Sequence, residues 1–472
     1  MRNSKLATLE EAIRRSGLRD GMTISFHHHF RGGDKVVNMV VGKLAEMGFK
    51  DLHLAASSLS DVHEPLIEHI KSGVITRIST SGLRGALANE ISHGLLKEPV
   101  IFRSHGGRGS AIASGELHID VAFLGASSSD ELGNACGYSR SDDAKSICGS
   151  LGYALPDAQY ADHVVVVTDD LVPYPNVPKS ISAVDVESVV VVDSVGDSSK
   201  ISAGAIRDSK NPRDILLAKQ AAKVVINSGF FQDGFSIQTG TGGASLAVVK
   251  YIRESMIEKG IKASFALGGI TAHMVKLHEE GLIGSLIDVQ SFDKVAAESL
   301  KNDMFHQEVS AIEYASGVHK GSAVHGLDIV ILSALEVDVD FNVNVLVGSD
   351  GIIRGAIGGH QDTAADSALS IIVCPLLRGR IPCVVPKVTT LITPGKSVDV
   401  VVTEYGIAVN PSRPEIAGKL AQAGLNVVDI KDLAAKASSI IGTPDPLPFG
   451  DKVVGVVMNR DGSVLDKIYN IL

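Results

Sequence analysis

The sequence predicts an α/β protein made of two similar domains with mostly parallel sheets. Three observations carry this. Short runs of Val, Ile and Ala recur between loops that draw on 48 glycines. The runs are apolar at successive positions, as parallel strands covered on both faces must be. One strand–glycine loop–helix–strand unit also occurs twice, about half the chain apart, which is a repeat of whole domains.

The first unit spans residues 20–57. MTISFHH reads as a strand entering the loop FRGGD. Val36, Val37, Met39, Val40, Leu44 and Met47 then recur at helical spacing, Gly48 stops the helix, and LHLAA begins the next strand. The second unit spans residues 233–269. FSIQT is its strand, GTGGAS its loop, SLAVVKYIRESMIEK its helix, Gly260 the stop and ASFAL the next strand. The likeness continues where HIKSGVITRI (69–78) is echoed by HEEGLIGSLID (278–288). These repeats predict domains over 1–208 and 209–472, joined within the polar, proline-containing stretch SAGAIRDSKNPRD (202–214). Further strands are read at 121–125, 163–168, 188–193, 328–334, 370–375, 399–404 and 453–458, and MRNSKLATLEEAIRRSG at the start as a polar helix. Ligands on such sheets collect at the carboxyl ends of the strands, where the glycine loops lie.

Composition narrows the function classes. The 472 residues are 44% hydrophobic and 21% charged, which is globular, and with 4% aromatics and no Trp the core must be aliphatic. The net charge of −10, without any Lys/Arg run, argues against nucleic acid as a partner. Cys136, Cys148, Cys374 and Cys383 are far apart and form no CxxC pair, which fits reduced thiols in a cytoplasmic protein. No stretch has the length and apolarity of a membrane span, and the N-terminus lacks the apolar core of a secretion signal.

Four glycine loops carry the chemistry. In SFHHHFRGGD (25–34), alternation on a strand puts His27 and His29 on one face and His28 on the other. No carboxylate or cysteine sits at ligand spacing nearby, so no metal is expected. Arg31, Gly32 and Gly33 before a helix offer a guanidinium, exposable N–H groups and a helix N-terminus, so an anion cradle and plain loop geometry are the readings left. GTGGAS (240–245) takes the matching place in the second unit; it lacks the Lys-Ser/Thr of a phosphate loop and the following acid of a dinucleotide fingerprint. SHGGRGSA (104–111) adds His105 and Arg108, and TSGLRG (80–85) adds Arg84. Each basic residue is unremarkable alone. Together with Arg31 they place several fixed cations on loops, as a polycarboxylate would need.

Residues 331–415 resemble the C-terminal half of the CoA-transferase superfamily through SALEVD (333–338), GGHQD (358–362) and VDVVVTEYGIA (398–408). With SFHHHFRGGD, TSGLRG, LVPYPN, QTGTGGASLA and GGITAHM, nearly the whole chain is similar to the citrate lyase alpha-chain family. The resemblance implies two CoA-transferase-like (NagB/RpiA-like) domains with the active site at their interface. It implies an acyl-carrier transferase that exchanges acetate for citrate on a thioester. It also implies a beta chain that cleaves the citryl thioester and a gamma chain that is the acyl carrier protein, all in a cytoplasmic oligomer. No tightly bound cofactor is expected; the thioester belongs to CoA or to the carrier's CoA-like prosthetic group.

Covalent members of the superfamily carry a nucleophilic glutamate in a GIHTEM segment. Here GITAHM puts His273 in that place, which implies direct transfer through a mixed anhydride without an enzyme thioester. Gly242, Gly243, Gly358 and Gly359 are then the candidate oxyanion donors. His273, Arg31 and Arg84 are the candidate carboxylate binders. Glu336 is either structural or substrate-orienting, or a hidden nucleophile. Gly32, Gly33, His360 and Gln361 complete the expected substrate-binding set, and Asp362 is expected to brace its loop by accepting backbone N–H bonds. Citramalate transfer, acyl-CoA hydrolysis and ligand sensing without turnover are the competing readings.

Overall fold

The structure, a computed structural model, describes residues 4–141, 144–202, 211–240 and 243–472. Two large sheets dominate it. The first runs, edge to edge, Leu6–Ala7, Ser188–Val191, His163–Thr168, Val121–Ala126, Thr23–Phe26, Leu52–Ala56, Ile75–Thr80, Val100–Phe102, Phe449–Met458 and Val464–Ile471. The second runs His306–Glu308, Ile283–Ser291, Ala263–Ile270, Ser236–Thr239, Ile329–Ser333, Leu369–Val373, Val400–Thr403, Gly406–Val409 and Val427–Val428. Neighbours are parallel except in the terminal hairpin and between Val400–Thr403 and Gly406–Val409. The protein is therefore a mixed α/β molecule with largely parallel sheets.

Seven strands of each sheet keep one order. In each, the first strand of the repeat lies in the middle, the next three are added on one side, and the later three on the other. The first repeat begins with Thr23–Phe26 and the second with Ser236–Thr239. The carboxyl ends of these two strands are thus the switch points, where loops diverge and leave a crevice.

The local reasons follow the sequence. Val36–Glu46 turns Val36, Val37, Val40, Val41 and Leu44 onto the first sheet and ends before Gly48 at φ 87°, a conformation that favours glycine. Leu9–Arg15 starts with a capping box from Thr8 and Glu11. The core of the first sheet joins Ile24, Phe26, Leu54, Phe123 and Val165. Ile237, Ala266, Leu286, Ile331 and Ile371 pack one face of the second sheet, and Val330, Leu332, Ile372 and Val401 the other.

The expected joint at 208/209 lies outside the described residues. The topology does depart from a clean division there, because the last two strands return to the first sheet. Gly455, Val456 and Val457 pair with Val100, Ile101 and Phe102. The three-residue strand they cover would otherwise present an unpaired sheet edge. No helix among the described residues is long and apolar enough to cross a membrane.

Candidate active site

Both switch points open onto one cleft of about 640 Å³. His28, Arg31 and Gly32 enter it after Thr23–Phe26, and Gln238, Thr239 and Gly240 at the end of Ser236–Thr239. Two loops clasp each other at its wall. Leu83 N–H donates to Gly355 O at 3.0 Å, Ile357 N–H to Ser81 O at 2.8 Å, and His105 N–H to Gly358 O at 2.9 Å. Glycine is required at this clasp by space. A Cβ on Gly82 would lie 2.3 Å from the Ala356 Cβ, and one on Gly106 would lie 1.9 Å from the Ala315 carbonyl oxygen.

The lining is cationic although the chain is acidic. Arg31, Arg84 and Arg378 face the cleft, and Asp61 is the acid among the lining residues. The Arg31 guanidinium lies 4.9 Å over the Phe292 ring. Burial, and then the neighbouring Arg84, pull its pKa down to about 10. Its Nη1 is buried and has no hydrogen-bond partner among the described residues. Arg84 is exposed and makes no ion pair among the described residues. Arg378 donates to Leu335 O at 3.1 Å and to Ala334 O, fixing the turn after Ile329–Ser333. Two neighbouring guanidiniums that form no ion pair among the described residues are an arrangement that an anion completes.

The cleft histidines are neutral. Burial takes His360 down to about 4 and, aided by Arg108, His105 down to about 3. His28 is held well below its ordinary value, first by burial and then by neighbours that disfavour a further positive charge there, His105, His29 and Arg31. Of the three consecutive histidines only His28 lines the cleft. His27 bonds the Gly125 carbonyl at 2.8 Å, and His29 accepts the Tyr153 N–H at 3.1 Å. Among the described residues, the group at metal-ligating spacing is His118, Asp120 and Asp162, a surface cluster away from this run.

The structure gathers Arg31, Gly32, Arg84, Gly358, Gly359 and His360 around the cleft, while Gly33, Glu336, Gln361, Asp362 and His273 are not among the described residues that line it. Gly33 is turned away; a Cβ there would lie 2.2 Å from the Asp197 carbonyl oxygen. Glu336 is buried off the cleft, its carboxylate accepting Asn344 Nδ2 at 2.9 Å, the Thr389 N–H at 2.8 Å and the Thr389 hydroxyl at 2.9 Å. Gln361 donates to Ile392 O at 2.7 Å, behind the wall. Asp362 braces a loop of the other repeat instead of its own, accepting the Ser104 hydroxyl at 2.8 Å and the Gly106 N–H at 3.0 Å. Burial raises its pKa to about 6 against those bonds. His273, the second residue of the helix Ala272–Glu279, is half-buried and is not among the described residues that line the cleft. Gly243 opens the helix Gly243–Lys259, and Gly242 lies outside the described residues. Arg108, read from sequence with the loop cations, is instead buried against Asp157, with both contacts at 2.8 Å. The Gly358 N–H is committed to Ser81 Oγ at 2.9 Å, whereas the Gly359 N–H makes no hydrogen bond among the described residues.

Sequence reasoning missed Tyr153, Gln238, Tyr314 and Arg378, all of which line the cleft. Arg378 had a signal, a basic residue shortly after an apolar strand. The tyrosines had none: Tyr153 sits in the turn before the helix Leu155–Tyr160 and Tyr314 on the five-residue helix Ala311–Ala315, and neither local pattern marks a site.

Two repeated, largely parallel sheets with their switch points on a shared cationic cleft define an α/β protein built around one anion-binding site. The family described as "Citrate lyase, alpha subunit (CitF)" matches residues 3–471. The chain belongs to that family. It is 60% identical to the citrate lyase alpha chain of Escherichia coli K12 over 100% of this chain and 92% of the relative. It is also 60% identical to that of Klebsiella pneumoniae, over 98% and 91%. A crystal structure described as the alpha subunit of citrate lyase from Streptococcus mutans in complex with citrate has a TM-score of 0.97 and 55% identity, over 100% of this chain and 92% of that one. The malonate decarboxylase alpha subunit of Acinetobacter baumannii, at 16% identity and a TM-score of 0.68 over 93% of each chain, shares the fold.

Proposed function

We propose that this cleft exchanges acetate for citrate on a carrier thioester: acetyl-carrier plus citrate gives citryl-carrier plus acetate. The observation that carries the reading is the Arg31–Arg84 pair, neighbouring guanidiniums that both line the cleft and form no ion pair among the described residues. The Streptococcus mutans relative, described in complex with citrate, supports it. A citrate carboxylate oxygen attacks the acetyl carbonyl carbon, the C–S bond breaks and the thiolate leaves, giving a mixed acetic–citric anhydride. The thiolate then attacks the citryl carbonyl of the anhydride, its C–O bond breaks and acetate departs. No net proton moves. Holding both reactants together can supply on the order of 7–11 kcal/mol of the barrier. The unengaged Gly359 N–H serves the oxyanion.

We read the two sheets as two CoA-transferase-like (NagB/RpiA-like) domains, 1–208 and 209–472, with the last hairpin crossing back. The Glu336 carboxylate is buried and accepts three hydrogen bonds, from Asn344 and Thr389, without itself lining the cleft, which favours direct transfer over a glutamyl thioester. The partners are then a beta chain that cleaves the citryl thioester and a gamma chain that carries the acyl group, in the cytoplasm, and no tightly held cofactor is needed. The test is incubation of the pure chain with acetyl-CoA and either citrate or citramalate. Citryl-CoA formation dependent on citrate is expected, with no hydroxylamine-sensitive label on the protein. Thioester loss without an acceptor, or label on Glu336, would overturn it.

A further inference from the structure

We infer that the Tyr314 hydroxyl is a catalytic hydrogen-bond donor which, together with the Gly359 N–H, holds the oxyanion formed as a carboxylate adds to the thioester carbonyl. The inference rests on the transfer reading above. Tyr314 lies on the short helix Ala311–Ala315, fixed by a capping box from Ser310 and Glu313, and only 2% of it is exposed. It nevertheless lines the cleft. Gln238 Nε2 donates to its phenol oxygen at 2.8 Å. No group among the described residues accepts the phenol's own proton. A donor into the oxygen with no acceptor for the proton leaves an O–H polarised and free to bond a ligand.

The oxygen also lies where a second donor is free. A Cβ on Gly359 would be 2.3 Å from Tyr314 Oη, so the phenol tip rests directly against that residue. The Gly359 N–H makes no hydrogen bond among the described residues, while its neighbour Gly358 gives its own to Ser81. Tyr153, the other cleft tyrosine, is instead stacked on His28 at 5.0 Å and against His105 at 4.1 Å, with no hydrogen bond into its oxygen among the described residues. Burial pushes the Tyr314 phenol well above its ordinary pKa, so it stays protonated at neutral pH.

No proton is transferred. As the carboxylate O–C bond forms, the carbonyl π pair moves onto oxygen and meets two donors. As the tetrahedral species collapses, the C–S pair leaves on sulfur and Tyr314 keeps its hydrogen. A water-excluded donor of this kind acts on the transition state, so its loss should appear in kcat.

The test uses the full chain with acetyl-CoA and citrate, comparing wild type, Tyr314→Phe and a protein carrying 3-fluorotyrosine at position 314. Tyr314→Phe keeps the ring against Gly359 and removes only the donor. The expected result is a fall in kcat of about 10²–10³-fold with the citrate KM nearly unchanged. The fluorinated, more acidic phenol should raise kcat, a response that a merely structural hydroxyl would not give. Wild-type kcat in Tyr314→Phe, an effect confined to KM, or indifference to fluorination would overturn the inference. If Tyr314→Phe fails to fold, the fluorotyrosine comparison decides alone. A wild type that exchanges nothing would overturn the transfer reading itself, a result distinct from any of these.

Discussion

Arg31 is a costly residue for the fold. Its backbone sits at φ 50°, its guanidinium is largely removed from water, and Arg84 repels it. A bound polyanion relieves both electrostatic penalties. Arg31→Gln should therefore raise the thermal midpoint of the free protein slightly while weakening citrate. A charge-assisted bond of about 1.5–3 kcal/mol corresponds to a roughly 10–100-fold rise in KM, measurable by steady-state kinetics, with the citrate-induced thermal shift lost in parallel. Asp362 makes a pH prediction. Its folded pKa of about 6 lies above the usual carboxylate value because burial disfavours the charge. The folded state thus binds the extra proton between about pH 4 and 6, so this carboxyl's contribution is full below that window and declines as pH rises through it. The midpoint of wild type minus that of Asp362→Asn should fall as pH is raised from 4.5 to 7.5, measured by calorimetry. A difference that grows with pH would contradict the assigned cause.

The clasp between the loops at 81–83 and 354–358 and the helix His105–Ser114 shapes the cleft wall. Gly106→Ala pushes a methyl into the Ala315 carbonyl and should destabilise by about 1–3 kcal/mol. Gly107→Ala, one residue along the same helix, meets only the Ser104 hydroxyl at 2.9 Å and the Arg460 Cα at 3.8 Å. Gain in helix propensity offsets that crowding, so it should be near neutral in a denaturant titration. These elements also show what a sequence discloses. The repeated unit, the helix over Val36–Glu46 and the strands at 163–168 and 329–333 were legible because their apolar periodicity is local. GGHQD was legible as a site motif, but its use was not. Whether Asp362 caps its own loop or the Ser104–Gly106 turn depends on pairing across the repeat, and no spacing encodes that. Arg31 and Arg84 were legible as loop cations; Arg108 looked the same and is spent on Asp157, a partner 49 residues away.

At the scale of the molecule, a net charge of −10 surrounds a cleft whose guanidiniums outnumber its acid. Citrate must cross an unfavourable outer field before it reaches a favourable inner one. Added salt screens the first over a Debye length of about 8–10 Å and the buried second much less. Moderate salt should accordingly leave kcat/KM for citrate level or higher, not depress it; a steep fall from 50 to 200 mM would point to an exposed site. The terminal hairpin is the other molecular feature. Arg460 in its turn binds Asp366 at 2.7 Å, at the end of the helix that begins at His360. Removing residues 448–472 should lower the melting temperature and promote aggregation through the bared edge at Val100–Phe102, read by light scattering.

That hairpin also sets a clock. Lys452 reaches back to the Gly94 carbonyl, 358 residues earlier. At roughly 5–20 residues per second, a ribosome takes about 20–70 s to supply the partner after that stretch is made. During biosynthesis the leading half therefore waits, incomplete, until translation is almost over. A stop codon only a few dozen positions early would harm the part of the protein that was made first.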